Sequence, residues 1–343
     1  MKTAVFITVL LITCALAVLI AKNSKSASIT KQPQSQPATN PQNTNPLSLE
    51  FMRPQNYPGS DITIEQTLAD GVNYHQYVVS YKSDGLKIYA LLAVPIGQKP
   101  DKGWPVVIFN HGYIPPEQYS PTQRYIAYVD AFAKNGYIVL KSNYRGNGNS
   151  EGQPEGAYYS AAYARDVLNA IASIKKFPDA NSDKIGMWGH SMGGNIALRD
   201  LEVSKDIKAA VIWGGVVGSY NDLMNNWQRR VPFQPGPREL ALRNRSRSDL
   251  AQKYGTPQSN PNFWNAIDPF YNISLVTTPI QLHHGEADEE VPLAFSQNLY
   301  NTLRSNGKTA EIYTYPGADH NISDPSFSLA IDRSVKFFDK YLK

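Results

Sequence analysis

The sequence predicts an α/β fold: a mainly parallel central sheet with helices on both faces and a helical segment inserted as a cap. Three observations carry the prediction. From about residue 75, short apolar runs alternate with longer stretches whose apolar residues recur at helical spacing, as in repeated strand–helix units. Runs such as "PVVIFNHG" (105–112) and "KAAVIWGGVVG" (208–218) are apolar at consecutive positions, which fits strands covered on both faces. The alternation is interrupted once, at about 219–274, by a segment rich in Arg, Pro, Asn and Trp with helical patches, and it resumes afterwards. One large domain with a cap is the economical reading of 343 residues.

The elements follow in order. "HQYVVSYKSDGLKIYALLAVP" (75–95) holds two β-rich runs around Ser83-Asp84-Gly85 and reads as an antiparallel hairpin. Strands are expected at 105–112, 137–146, 184–191, 208–218, 279–288 and 309–320. Helices are expected at 122–136, 157–177, from 191 to about 204, at 293–306 and at 325–342, the first ending on Gly136.

Ahead of the domain lie two segments of different character. Residues 3–21 form 19 uncharged, mostly apolar positions, long enough to cross a hydrocarbon core at ~1.5 Å per residue. Residues 1–21 are therefore expected to act as a membrane anchor facing the chain outward, or as a cleaved export signal that leaves it secreted. Residues 22–48, rich in Ser, Thr, Asn, Gln and Pro, read as a disordered linker to a domain spanning 49–343. The sole cysteine, Cys14, allows no intramolecular disulfide. A formal net charge of +4 with scattered basic residues argues against a nucleic-acid partner.

The chemistry centres on "KIGMWGHSMGGNIAL" (184–198), where Ser191 ends a strand and opens a helix. Gly189-His190-Ser191-Met192-Gly193 has the form of a nucleophile elbow, a bend so sharp that a Cβ at 189 or 193 would strike the adjoining backbone. Such a bend lifts the serine hydroxyl clear of the sheet, beside unpaired N–H groups at the helix start. A neutral serine needs a base and an orienting acid, and with this elbow they follow in the order Ser, acid, His. Of the six histidines, only His320 follows a strand in a late Gly/Asp-rich loop, and it is the expected base. In "HHGEADEEVP", Asp288 is the expected acid and Glu286 its rival, with Glu289 and Glu290 read as solvated charges at a helix start. Asp319 is too close in sequence to reach Nδ1 of its neighbour. The oxyanion donors are expected to be the backbone N–H groups of Met192 and Tyr113.

Other signals are weaker. The glycines of "RGNGNSEG" miss dinucleotide-loop spacing, and Arg145 within it is available to a carboxylate. His283 and His284 are adjacent on a strand, point to opposite faces, and cannot both hold one metal. No metal or organic cofactor is expected. In the cap, Trp227 and Trp264 are candidates for a substrate pocket. Arg229, Arg230, Phe233, Arg238, Arg243, Arg245, Arg247 and Phe263 lie around them in sequence.

Taken together, "YKSDGLKIYALLAVP", "FNHGY", "NYRGNGNSEG", "GHSMGG", "HGEADEEVP" and the late Asp-His make residues from about 75 to 343 resemble an α/β-hydrolase. More narrowly, they resemble the catalytic domain of the prolyl oligopeptidase and acylaminoacyl-peptidase family, with dienelactone-hydrolase-like and carboxylesterase-like relatives sharing the motifs. The resemblance implies serine hydrolysis through Ser191, Asp288 and His320. The family's peptidases carry a β-propeller ahead of the catalytic domain, and too few residues separate the linker from the first strand to form one. The substrate is thus expected to be a small ester, with a short peptide as the alternative. From a different class, a non-catalytic binding protein on this scaffold is the remaining reading.

Overall fold

In the computed structural model, residues 45–231 and 235–343 are described. The segments at 3–21 and 22–44, and Phe233 in the cap, lie outside them, and so does the side chain of Arg238. Among the described residues no helix is long and apolar enough to cross a membrane.

A nine-stranded sheet organises the chain, in the order β1-β2-β3-β5-β4-β6-β7-β8-β9. At its leading edge, β1 (Thr63–Thr67), β2 (Tyr74–Ser83) and β3 (Leu86–Pro95) pair antiparallel, and β3 pairs antiparallel with β5 (Ile138–Ser142). From there every pairing is parallel, through β4 (Trp104–Asn110), β6 (Ala180–His190), β7 (Ile207–Trp213), β8 (Ile280–Gly285) and β9 (Ala310–Tyr315). The β2–β3 hairpin turns at Asp84 and Gly85, both at positive φ (51° and 81°), the conformation that matches the twist of a two-residue hairpin.

The consecutive apolar positions do cover two faces, because successive side chains of a strand point oppositely. In β4, Val106 and Ile108 join one core cluster while Val107 and Phe109 join the other; in β7, Ala210 and Ile212 oppose Ala209, Val211 and Trp213. The first face is covered by α3 (Ala162–Ile174), α4 (Met192–Val203) and α7 (Leu293–Ser305), whose Val167, Leu198 and Leu299 lie in that cluster. The second is covered by α2 (Ile126–Lys134) and α8 (Phe327–Leu342), through Phe132 and Phe338. Between β7 and β8 the expected insertion contains α5 (Pro237–Tyr254) and α6 (Pro261–Ile267).

Several boundaries differ from expectation, each for a local reason. Residues 45–48 are not linker: Leu47 is only 2% exposed, and its carbonyl accepts a hydrogen bond from buried Arg199 at 2.7 Å. Ser48 caps the short α1 (Leu49–Met52), its Oγ accepting from the Phe51 N–H. Strand β1 has no counterpart in the expected elements because all five of its residues are exposed, leaving no apolar face to read. Helix α2 starts at 126 rather than 122 because Arg124 and Tyr125 adopt left-handed φ (55° and 58°). Helix α3 starts at 162 rather than 157, since Ala157, Tyr158 and Tyr159 form the wall of a cavity.

Candidate active site

Ser191 sits at the carboxyl end of β6, where open α/β sheets bind ligands. Its backbone is held at φ 55°, ψ −119°, a region that costs a non-glycine residue about 1–3 kcal/mol. Three backbone hydrogen bonds maintain it: Ser191 N–H donates to Trp213 O, and Ser191 O accepts from Gly194 and Val216, each at 3.0 Å. The neighbouring glycines are required by contact. A Cβ on Gly189 would lie 2.5 Å from Gly193 O, and one on Gly193 would lie 2.0 Å from Asn110 O and 2.8 Å from His111 O.

That geometry decides the sign of a substitution. Ala in place of Gly in a helix normally gains about 1 kcal/mol. At position 193 it must push α4 away from β4 backbone, so Gly193→Ala is expected to destabilise by about 3 kcal/mol. Urea unfolding monitored by tryptophan fluorescence checks this; an unchanged or raised midpoint would contradict the close approach.

Asp288 and His320 meet as expected. Asp288 Oδ2 accepts from His320 Nδ1 at 2.7 Å and lies 3.1 Å from His284 Nε2, while Oδ1 accepts from the Glu290 and Val291 N–H groups at 2.8 and 2.9 Å. Burial pushes this carboxyl upward, but the hydrogen bonds from His284 and His320 outweigh it and hold the group well below the usual carboxylate range. His284 Nε2 faces two oxygens, of Asp288 and of Val291 at 3.0 Å, so it carries the proton and His284 Nδ1 accepts from Ser296 Oγ at 2.7 Å. Sequence reasoning set His284 aside as a strand residue; its bearing on Asp288 appears only when β8 and the following loop are folded together. Its neighbour His283 points to the other face, toward Tyr315 and Gln281. Glu286 is exposed and engaged by Thr314, away from His320, and Asp319 accepts from Ser323. Among the described residues no group of three or more His, Cys, Asp or Glu side chains is arranged to hold a metal.

Ser191 and His320 line one cavity of about 480 Å³, together with Tyr113 and Met192, the residues expected to supply the oxyanion donors. The peptide between Gly112 and Tyr113 is oriented by its neighbour: His111 Nδ1 lies 2.7 Å from Gly112 O. Because a trans peptide sets C=O and N–H antiparallel, gripping that carbonyl aims the Tyr113 N–H the opposite way. Burial pushes His111 down to about 3, so it is neutral, and its Nδ1 carries the proton that the carbonyl accepts. The Gly112 N–H is already engaged, donating to Tyr125 Oη at 2.9 Å.

The cap forms the outer wall. Trp227 lines the cavity, with its indole N–H donating to Glu290 O at 2.8 Å. Trp264 does not line it. It is 1% exposed at the root of the cap, its N–H donating to Gly255 O and its ring edge-on to Tyr220, so it serves packing. Arg229 and Arg243 reach the cavity, Arg229 paired with Glu290 and Arg243 5.7 Å from the centre of the Tyr158 ring. Glu290 is thus a wall residue and not merely a solvated helix-start charge. Arg230 donates to Asp288 O, Arg245 faces Asp249 at the surface, and Phe263 stacks on Tyr254. Beneath the site, Arg145 forms a buried pair with Asp166 (Nη2–Oδ1 2.7 Å) and reaches Asp84, bracing the loop after β5.

The chain is similar to known proteins in sequence and in fold. Residues 123–343 match the model of the prolyl oligopeptidase family. The uncharacterized peptidase YtmA of Bacillus subtilis is 26% identical over 248 residues, covering 71% of this chain and 85% of that protein. A second Bacillus subtilis protein, the uncharacterized peptidase YuxL, is 25% identical over 70% of this chain but only 34% of its own length. Among solved structures, Pyrococcus horikoshii acylaminoacyl peptidase superposes with a TM-score of 0.62 at 22% identity, over 79% of this chain and 42% of that one. An esterase of Pyrococcus furiosus superposes with a TM-score of 0.57 at 20% identity, over 79% of this chain and 94% of that one. An acetyl xylan esterase from Paenibacillus sp. R4 gives 0.61 at 17% identity, over 82% and 89%. These structures establish the α/β-hydrolase fold. With its match running from just before α2 through the elbow to the last residue, the chain belongs to the prolyl oligopeptidase family of serine hydrolases.

Proposed function

We propose that the chain hydrolyses carboxylic esters of small acyl groups, with Ser191 as nucleophile, His320 as general base and acid, and Asp288 as the group that orients and charges-balances the imidazole. The observation that carries this reading is the shared cavity. Ser191 and His320 open into about 480 Å³ of space whose outer wall is built by the chain's own cap at Trp227, Arg229 and Arg243. Space of that size takes a small ligand, not an extended polypeptide.

In the cycle, His320 Nε2 takes the Ser191 hydroxyl proton as Oγ attacks the acyl carbon, while Asp288 holds Nδ1–H and stabilises the imidazolium. The N–H groups of Met192 and Tyr113 receive the charge that develops on the carbonyl oxygen. The imidazolium then protonates the leaving alkoxide. Water, deprotonated by His320, attacks the acyl-enzyme and releases the acid, regenerating Ser191. The apolar 3–21 segment and polar stretch after it support action outside the cytoplasm, anchored or secreted.

Support for esters over peptides comes from coverage: the chain spans 94% and 89% of the two esterases but 42% of the acylaminoacyl peptidase. A short-peptide reading is favoured by the family match and by the 85% coverage of YtmA, which is described as a peptidase. Parallel assays of the chain on nitrophenyl acetate and butyrate and on aminoacyl and peptidyl nitroanilides separate the two. The expected result is ester kcat/KM exceeding anilide kcat/KM by about 10²-fold or more. Comparable or faster anilide cleavage would replace the ester reading with the peptidase one.

A further inference from the structure

We infer that Tyr125 and His190 are positioning residues that lock the oxyanion loop and the His320 loop to each other through one directional chain of hydrogen bonds. The inference rests on the reading of Ser191 and His320 above and adds two residues to it.

The chain crosses three segments far apart in sequence. Gly112 N–H donates to Tyr125 Oη at 2.9 Å, Tyr125 Oη lies 2.7 Å from His190 Nδ1, and His190 Nε2 lies 3.1 Å from His320 O. Its direction follows from proton counting. A backbone N–H only donates and a carbonyl only accepts, so the neutral His190 holds its proton on Nε2. Its Nδ1 accepts the one proton of the Tyr125 hydroxyl, whose oxygen accepts from Gly112. A neutral imidazole that accepts at Nδ1 carries its proton on Nε2, which then donates to the His320 carbonyl. Burial, with a further push from His320, lowers His190 to about 3, so the ring is neutral wherever His320 works as a base. Every proton along the path is used once, and no reversal of the chain is possible because it begins at an amide N–H and ends at a carbonyl.

The cost of placing Tyr125 there is visible in the backbone. Arg124 and Tyr125 are consecutive non-glycine residues at left-handed φ, a conformation that structures retain only where the surroundings enforce it. The enforcing group is Lys141 on β5, only 1% exposed, whose Nζ lies 3.0 Å from Arg124 O and 3.4 Å from Gln123 O. A buried lysine spent on two carbonyls of a strained turn serves what that turn presents, and it presents the Tyr125 hydroxyl. At one end of the chain lies the residue before the proposed donor Tyr113; at the other lies the backbone of the proposed base; His190 itself precedes Ser191. Tyr125 and His190 also line the cavity, but the link between them turns away from the substrate toward the two loops. Cutting it is therefore expected to cost more in kcat than in KM as the donor and the base lose their mutual registry.

The test uses Tyr125→Phe, His190→Gln and the double variant in the full chain. Phe keeps the ring and removes the hydroxyl. Gln carries an amide N–H for His320 O, and its one acceptor, Oε1, does not occupy the place of Nδ1 facing the tyrosine. Both single changes cut the same link. The measurements are kcat and KM on nitrophenyl butyrate, the inhibition constant of an alkylboronic acid that forms a tetrahedral adduct, and the thermal midpoint. Each single variant is expected to lose about 10²-fold in kcat with KM within about twofold, since an ångström of misplacement costs that much. Boronate affinity should fall with kcat, and the double variant should be no slower than the slower single, as for two cuts in one link. Additive losses, a loss confined to KM, or unchanged kcat would overturn the inference. Fluorophosphonate labelling of the parent chain at Ser191 checks the underlying reading separately; if Ser191 takes no label, both fall.

Discussion

Ser191→Ala is expected to abolish ester turnover, with kcat falling on the order of 10⁶-fold, the loss seen when an activated serine is removed from a complete triad. The other serine lining the cavity, Ser323, is not at the elbow, and its hydroxyl donates to Asp319. The lining side chains nearest in function are His320, a base, and Tyr113 and Met192, whose proposed contribution is backbone N–H. The substitution should spare the fold. Ser191 is held at its strained φ of 55° by its backbone N–H and C=O, not by its hydroxyl. Steady-state kinetics beside a thermal melt check both halves of the statement. A variant with turnover within tenfold of the parent would show that hydrolysis occurs elsewhere.

Asp288→Asn is the second large effect, about 10⁴-fold in kcat with little change in KM, and its origin is a tautomer. The carboxylate accepts four donors: two backbone N–H groups at Oδ1, and His320 Nδ1 with His284 Nε2 at Oδ2. An asparagine must turn its one oxygen toward the backbone pair, which cannot reverse. Its NH₂ then faces His320 Nδ1, making that nitrogen the acceptor and moving the proton to Nε2, where it blocks uptake of the Ser191 proton. A loss below tenfold would contradict the assignment of Asp288.

The same carboxylate sets the pH behaviour. Its depressed pKa means the pairing contributes stability fully above the unfolded-state value of ~3.9, and that contribution is lost as pH falls through the lower folded value. Asp288 therefore stays ionised in weak acid and adds no ionisation of its own to the acid limb of kcat/KM. The expected limb is a single ionisation with slope one. A slope of two would mean that Asp288 titrates in the same range.

What was legible in the sequence, and what was not, follows from how local each determinant is. The elbow can be read because its two glycines answer clashes with backbone at fixed offsets, and Asp288 because a short loop after β8 leaves it few places to point. The parallel core can be read because strands buried on both faces show apolar residues at every position. Tyr125 cannot: its role depends on Gly112, His190 and a left-handed turn enforced by Lys141, four sites with no shared pattern. Trp264 was misplaced for a related reason. Composition marks a cap residue as aromatic but does not say which side of the cap meets the cavity, and here Trp227 faces it while Trp264 faces the core. Leu47 looked like linker because its burial depends on Arg199, 152 residues away.

Serine hydrolysis at this site depends most directly on the identity of the nucleophile. The full chain, treated with a fluorophosphonate, digested and analysed by tandem mass spectrometry, should carry one adduct on Ser191, and His320→Ala should slow its formation by about 10³-fold or more. An adduct on any other residue, or none on an active preparation, would contradict it.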